Sequence, residues 1–414
     1  MEPDSSWPIV WERARGVHVW DVEGREYLDL TAAFGVAAAG HANPRVVRAG
    51  QKQMGRLLHA MGDVHPHALK AQLARELSRI TFERWPGARD RRGKTIFANS
   101  GFEAVEAALK TALLATGKPG VIAFAGAYHG LGYGALNATH RAHFRRPFQS
   151  QLRRFGHFIE FPDTDAALRR VADRLRQTFR RGKIGAILVE PIQVRGGINL
   201  PPATFLPLLR KLCDEFGALL ILDEIYTGFG RTGKWFACEH SRTVPDLVCL
   251  GKALTGGFPL SACVGRADLM DSAWPASTGE AIHTSTFLGH PVGCAMALAQ
   301  VAEIGRLNLP KRAAELGQIL MAALSKIHPP QSSVRCRVRG LGLLAGLELT
   351  LPNGRPATQV TLDAVKTLLH QGYLFLPEGE HANVISFTPP LTITAPQLTR
   401  AVAALAKVLN FKSA

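Results

Sequence analysis

Two polar residues stand where buried apolar runs end, and together they outline a chemical site. Asp223 follows Ala218-Leu219-Leu220-Ile221-Leu222 and opens the segment Asp223-Glu224-Ile225-Tyr226-Thr227-Gly228-Phe229-Gly230-Arg231-Thr232-Gly233. Near-continuous apolar runs are the pattern of parallel strands covered on both faces. Ligands of such sheets bind beyond the carboxyl ends of the strands. A carboxylate buried there needs a cationic or hydrogen-bonding partner. A protonated pyridine nitrogen is such a partner, and an Asp paired with it keeps the ring an electron sink. The other readings are a strand-end cap or a magnesium ligand beside a phosphate loop; no GxxxxGKS/T segment exists to support the latter. Twenty-nine positions on, Lys252 leaves the run Leu247-Val248-Cys249-Leu250 and enters the glycine-rich turn that continues to Leu260. Charged residues are seldom buried unpaired. A desolvated lysine has a lowered pKa and a free amine, which is what Schiff-base chemistry requires. Alone, a lysine before a small-residue loop is an ordinary turn residue; the aspartate segment gives it its weight.

Three further segments carry weaker signals. Asn99-Ser100-Gly101-Phe102-Glu103-Ala104 joins a strand to a helix. The helix start offers free N–H groups and a positive dipole end, which suit a phosphate. A plain Ser N-cap with Glu at the third helical position explains the same residues equally well. Tyr128-His129-Gly130 offers an aromatic face for a planar ring, and the run from His283 to Pro291, with Thr284, Ser285 and Thr286, offers hydroxyls for a phosphate. Taken singly, both read more simply as core or loop residues.

The elements that must position these groups alternate between strand and helix. Residues 68–80 have helical spacing, residues 95–98 read as a short strand, and residues 103–116 form a helix with Val105, Ala108, Leu109 and Ala112 on one face. Residues 121–124, 184–189 and 218–222 are strands, with a helix over 206–216 between the last two. This alternation predicts an α/β fold with a mostly parallel sheet and helices on both faces. The N-terminal stretch reads as short strands at 17–20 and 26–30 around a turn. After residue 295 come helices over 294–307 and 309–327, a single strand over 340–349 and a closing helix over 395–409. The division is therefore residues 1–60 and 295–414 as the two parts of a smaller α+β domain, and 61–294 as the large domain.

The chain has 414 residues, 46% of them hydrophobic, enough for a sizeable core. Its six cysteines form no CxxC pair and no zinc-site spacing, so reduced thiols are expected and no metal. Residues 1–8 carry no secretory signal and no stretch reaches the length of a membrane span, which predicts a cytoplasmic location without membrane association. The net charge is 49 − 33 = +16, but the basic residues are scattered, with modest clusters at 89–92, 145–146 and 180–181. No nucleic-acid module accompanies them, so no nucleic-acid partner is expected.

In order and spacing, these segments resemble the class III aminotransferases, pyridoxal-phosphate enzymes of fold type I that include ornithine, acetylornithine, 4-aminobutyrate and diaminopelargonate aminotransferases. The resemblance runs from Tyr27-Leu28-Asp29 and Gly40-His41-Ala42-Asn43-Pro44, through Glu190-Pro191-Ile192-Gln193, to Arg339-Gly340-Leu341-Gly342 and Pro389-Pro390-Leu391. It implies a homodimer with active sites at the subunit interface, a small-molecule amino donor and a carbonyl acceptor. It implies that Lys252 holds pyridoxal 5'-phosphate as a Schiff base and moves the proton, while Asp223 pairs with the ring nitrogen. Ile225 and Tyr128 take the two ring faces. Ser100, Gly101 and Phe102 hold the phosphate, with Thr286 arriving from the partner subunit. Tyr226 stands where the family usually has Gln reaching the cofactor's phenolic oxygen, and its hydroxyl is a candidate for the same contact.

Three departures bear on substrate binding. Ornithine-like and 4-aminobutyrate-like members tend to carry GEGG or GEAG after EP-x-Q, where this chain has Val194-Arg195-Gly196-Gly197. They often have Arg at the place of Ser386 and Arg at the place of Leu131. In that subgroup the acidic residue and the late Arg form an ion pair that opens for an α-carboxylate. Losing one member alone strands a charge; here both positions are changed. The site therefore reads as re-purposed, with Arg195 either a new anion contact or a residue turned outward. Transamination between an amino donor and a ketone or aldehyde is the function expected. A racemase, epimerase or aminomutase on the same scaffold is the alternative, and a cofactor-free binding protein is a third that Lys252 and Asp223 argue against.

Overall fold

The fold is taken from a computed structural model that describes residues 9–62, 64–87, 92–276, 279–328 and 334–410. Residues 1–8 of the sequence start and residues 89–91 of one basic cluster lie outside them. The central sheet has seven strands. From one edge these are Gly93–Ala98, Ser261–Arg266, Leu247–Leu250, Leu219–Asp223, Ile184–Val189, Gly120–Phe124 and Gly156–Ile159. The last five pair in parallel. Ser261–Arg266 runs antiparallel to both of its neighbours, so the sheet is mostly, not wholly, parallel. The apolar runs behave as their composition dictates: every residue of Ile184–Val189, Leu219–Asp223 and Leu247–Leu250 is buried.

The helix Gly101–Thr116 lies across Leu247–Leu250 and Ser261–Arg266 and buries Val105, Ala108, Leu109 and Ala112. Small alanines on that face let the helix approach the sheet closely. The helix Asp165–Arg181, which the sequence pattern above does not include, buries Leu168, Val171, Leu175 and Phe179 on one stripe and turns its arginines outward.

The chain ends meet. The N-terminal strands Trp11–Arg15, His18–Asp21 and Glu26–Asp29 form one sheet with Tyr373–Leu374. The expected single strand at 340–349 is corrected to a hairpin, Arg335–Leu341 and Leu344–Thr350, paired antiparallel. Its turn falls at Gly342, whose φ of +61° favours glycine, and a Cβ there would meet backbone of Arg231 and Thr232. Arg231, inside the Asp223 segment, is fully buried and donates to the carbonyls of Leu343 at 3.0 Å and Pro389 at 2.5 Å. Burial lowers its pKa to about 10. That arginine fastens the C-terminal segments to the end of the large sheet. All six cysteines are free. No helix among the described residues is long and apolar enough to cross a membrane.

Candidate active site

A cavity of about 410 Å³ opens beyond the carboxyl ends of Leu219–Asp223 and Leu247–Leu250. Lys252, Asp223, Gly101, Phe102, Tyr128, Ile225, Tyr226, Leu131 and Arg195 all line it. Ser100, Thr286 and Ser386 do not. Ser100 caps the adjoining helix, Thr286 is exposed on the loop before Pro291–Arg306, and Ser386 is buried in the strand Val384–Phe387, donating to the Leu376 carbonyl at 3.0 Å.

Asp223 and Lys252 reach this cavity from adjacent parallel strands. Lys252 has a φ of +39°, left-handed backbone that a residue with a Cβ adopts at a cost. Strain of this kind persists only where the surroundings impose it, and here it turns the side chain into the cavity. The Lys252 Nζ lies 4.7 Å from the centre of the Tyr226 ring. Burial lowers the Lys252 pKa, against the opposing pull of Asp223 and Glu190. The free amine is thereby more accessible than in an exposed lysine.

Asp223 is held on both oxygens. One accepts the Ile225 N–H at 3.1 Å and the other faces His129 Nδ1 at 2.8 Å, with both side chains buried. The His129 Nε2 is buried without a partner. In the sequence, a histidine beside Tyr128 carries no periodic signal; the clue that points to it is a buried Asp in need of a partner. Glu190 is a second such residue. Its carboxylate accepts from the backbone N–H of Tyr128 at 3.0 Å and of Val194 at 3.2 Å, so it fixes the aromatic residue and the start of the Arg195 turn together. Burial pushes its pKa up to about 7.

The helix start is open on the cavity side. Gly101 and Phe102 are its first residues, so their N–H groups have no intrahelical acceptor. Glu103 reaches back to take the N–H groups of Asn99 at 2.8 Å and Ser100 at 2.7 Å, which leaves the first helical pair pointing at the cavity. Gly101 leaves room for Ile225: a Cβ there would lie 3.0 Å from the Ile225 side chain, which would have to give by a few tenths of an ångström. The Tyr226 hydroxyl lies 3.2 Å from Thr388 Oγ1, so the ring face rather than the hydroxyl is turned toward Lys252.

Arg195 sits in the turn closed by the bridge between Gln193 and Asn199. Its guanidinium lies over the rings of Tyr128, at 5.5 Å, and Phe34, at 6.0 Å. Its Nε is 3.5 Å from Glu378, an acid on the strand Leu376–Glu378 that no local sequence pattern singles out.

These residues fit the cofactor that the resemblance implies. A buried amine, a carboxylate braced by a histidine, the side chains of Tyr128 and Ile225 and an unsatisfied helix start all line one cavity of suitable size.

Residues 1–409 match the family described as aminotransferase class-III. The putrescine aminotransferase of Pectobacterium atrosepticum is 38% identical over 408 residues, 97% of this chain and 82% of that protein. The 5-aminovalerate aminotransferase of Pseudomonas aeruginosa is 37% identical over 418 residues, 97% of this chain and 94% of that protein. Among solved structures, an amine transaminase from an uncultivated Pseudomonas species, in its pyridoxal-phosphate-bound form, superposes with a TM-score of 0.88 at 28% identity, covering 99% of this chain and 96% of that one.

Proposed function

The chain belongs to the class-III aminotransferase family, and from that premise we propose that Lys252 and Asp223 are its catalytic pair and Arg195 a contact for anionic substrates. The fold is that of fold-type-I transaminases, and the activity is pyridoxal-phosphate-dependent transfer of an amino group between a donor and a carbonyl acceptor. The racemase or aminomutase alternative gains no support from the relatives. The observation that carries the residue roles is the arrival of Lys252 and Asp223 from neighbouring strand ends in one cavity.

The cofactor supplies an electron sink for the carbanion formed when the substrate loses its Cα proton. Lys252 would hold it and carry that proton, a task suited to a lysine whose amine is released by burial. Asp223, braced by His129 and the Ile225 N–H, would hold the ring nitrogen. Ile225 and Tyr128 would cover the ring faces. The N–H groups of Gly101 and Phe102, with Ser100, would take the phosphate, and Thr286 of a second copy would complete that site. Tyr226 contributes its ring beside Lys252; a contact of its hydroxyl to the cofactor requires exchange with Thr388.

The surrounding arrangement is part of the same reading: a large domain over 61–294, a smaller one from 1–60 and 295–414, a homodimer and a cytoplasmic location. Sedimentation of the cofactor-loaded enzyme is expected to give a dimer; a fully active monomer at assay concentration refutes the shared phosphate site.

Two relatives are named for putrescine and 5-aminovalerate and a third for acetylornithine, which supports a small donor reacting at a terminal primary amine. Leu131 and Ser386, neutral where related enzymes often carry Arg, support the view that ornithine, acetylornithine and 4-aminobutyrate are not its main substrates, while a 36% identical acetylornithine aminotransferase counts against that view for acetylornithine. A screen of amines against the loaded enzyme, read as loss of the yellow colour in a single turnover, tests the function. The same screen on Arg195→Ala tests the anion contact. Charge-assisted hydrogen bonds contribute roughly 1.5–3 kcal/mol, so the KM of an anionic substrate is expected to rise about ten- to a hundredfold while a neutral amine changes little. Equal loss for both assigns Arg195 to structure.

A further inference from the structure

Resting on the transaminase reading, we propose that Arg195 and Glu378 form an exchangeable ion pair that selects an α,ω-diamine as donor and an oxo acid as acceptor: the donor's far ammonium replaces Arg195 on Glu378, and the acceptor's carboxylate replaces Glu378 on Arg195. A transaminase binds two different substrates in succession at one place, so groups that recognise one must tolerate the other.

The pair is loosely made. The contact is 3.5 Å, and the Arg195 Nε finds no hydrogen bond. A guanidinium built to hold a carboxylate permanently uses two parallel hydrogen bonds. The inner partner is Glu378, with a side chain 2% exposed; the outer is Arg195, 33% exposed. Arg195 can therefore swing toward solvent and uncover Glu378.

Breaking a buried ion pair normally strands a charge at considerable cost. Here each partner has somewhere to turn. Arg195 keeps the faces of Tyr128 and Phe34 and its access to water when Glu378 is taken. Burial pushes the Glu378 pKa up to about 7 against the pull of Arg195, Arg141 and Lys252, and the last two remain when Arg195 is taken. Arg141 is itself anchored, donating to the Arg195 carbonyl.

The backbone that carries the pair is fixed. Arg339 donates to the carbonyls of Gly197 at 3.0 Å and Ile198 at 2.8 Å, and the Gly379 N–H donates to the Arg195 carbonyl at 3.3 Å. Exchange is thus a side-chain event. Among the described carboxylates near the cavity, Asp223 is engaged by His129 and Glu190 by two backbone N–H groups. Glu378, which lies behind Arg195 and outside the cavity lining, has a movable side chain as its contact.

The test compares three donors of one length, 1,4-diaminobutane, 4-aminobutyrate and butylamine, in single turnovers of loaded wild type, Glu378→Gln and Glu378→Ala. Removing a charge-assisted hydrogen bond should lower kcat/KM for the diamine by about tenfold or more, through KM, in both variants. Butylamine should be unchanged, and 4-aminobutyrate unchanged or improved as Arg195 is freed. Equal losses for all three donors, or a diamine no worse in Glu378→Gln, overturns the proposal. So does a wild type that turns over butylamine but not the diamine. Absence of turnover with every amine in the wild type refutes the transaminase reading instead. Equilibrium dialysis of the diamine against the pyridoxamine-phosphate form, which cannot turn it over, in wild type and Glu378→Gln gives a second readout independent of turnover; equal affinities contradict the pair exchange.

Discussion

Replacing Lys252 by Ala is expected to abolish transamination with every donor while leaving the protein folded and no longer yellow after addition of pyridoxal phosphate. The side chain has two tasks in the proposed mechanism, so no neighbour rescues it. Proton transfer by a positioned side chain contributes about 10²–10⁴-fold by itself, and loss of the covalent hold adds to that. Tyr226 lies beside the amine, but burial raises its pKa further and withholds its proton. The cofactor-free variant is expected to melt at or above the temperature of cofactor-free wild type, because a buried amine costs stability that activity alone repays. Residual turnover within tenfold of wild type, or a yellow variant, contradicts the role of Lys252.

The part of this site that is readable in the sequence is the part carried by local pattern. The runs Leu219-Leu220-Ile221-Leu222 and Leu247-Val248-Cys249-Leu250 announce buried parallel strands, and the polar residue that ends each one is displayed at a ligand-binding edge. The helix at Gly101 is legible from its start signal and alanine-rich face. What stays hidden depends on contacts between distant segments. Nothing near Asp223 announces His129, and nothing near Arg195 announces Glu378, which arrives from a strand of the C-terminal sheet. The change of both gate positions points to a re-purposed site, but not to an acid standing opposite the arginine. The strand Ser261–Arg266 escapes sequence reading for another reason: Ser, Ala, Cys and Gly give it weak alternation, and its antiparallel course breaks the strand-helix rhythm around it. The hairpin at 335–350 reads as one strand because Gly342 and Leu343 continue the apolar pattern through the turn.

Replacing Asp223 by Ala is expected to keep the fold and lose most activity, and comparison with Asp223→Asn separates charge from shape. In the proposed arrangement the buried carboxylate faces a cationic ring nitrogen, and burial is where a fixed opposite charge acts most strongly. Loss of one preorganised electrostatic group typically costs on the order of 10²–10³ in kcat. Asn keeps the size and can still accept the Ile225 N–H, but it cannot hold a protonated nitrogen by charge. Both variants should therefore fall in kcat by similar factors, with donor KM little changed, since in the proposed arrangement Asp223 holds the cofactor and not the donor. Ala additionally leaves His129 without either of its ring partners, because the Nε2 is already alone. Its stability should drop further than that of Asn, as a buried polar group left unsatisfied costs about 1–3 kcal/mol. Thermal melts of the loaded proteins read that difference directly. Single-turnover rates close to wild type in Asp223→Asn would remove charge from the account and leave Asp223 as a brace for His129 alone.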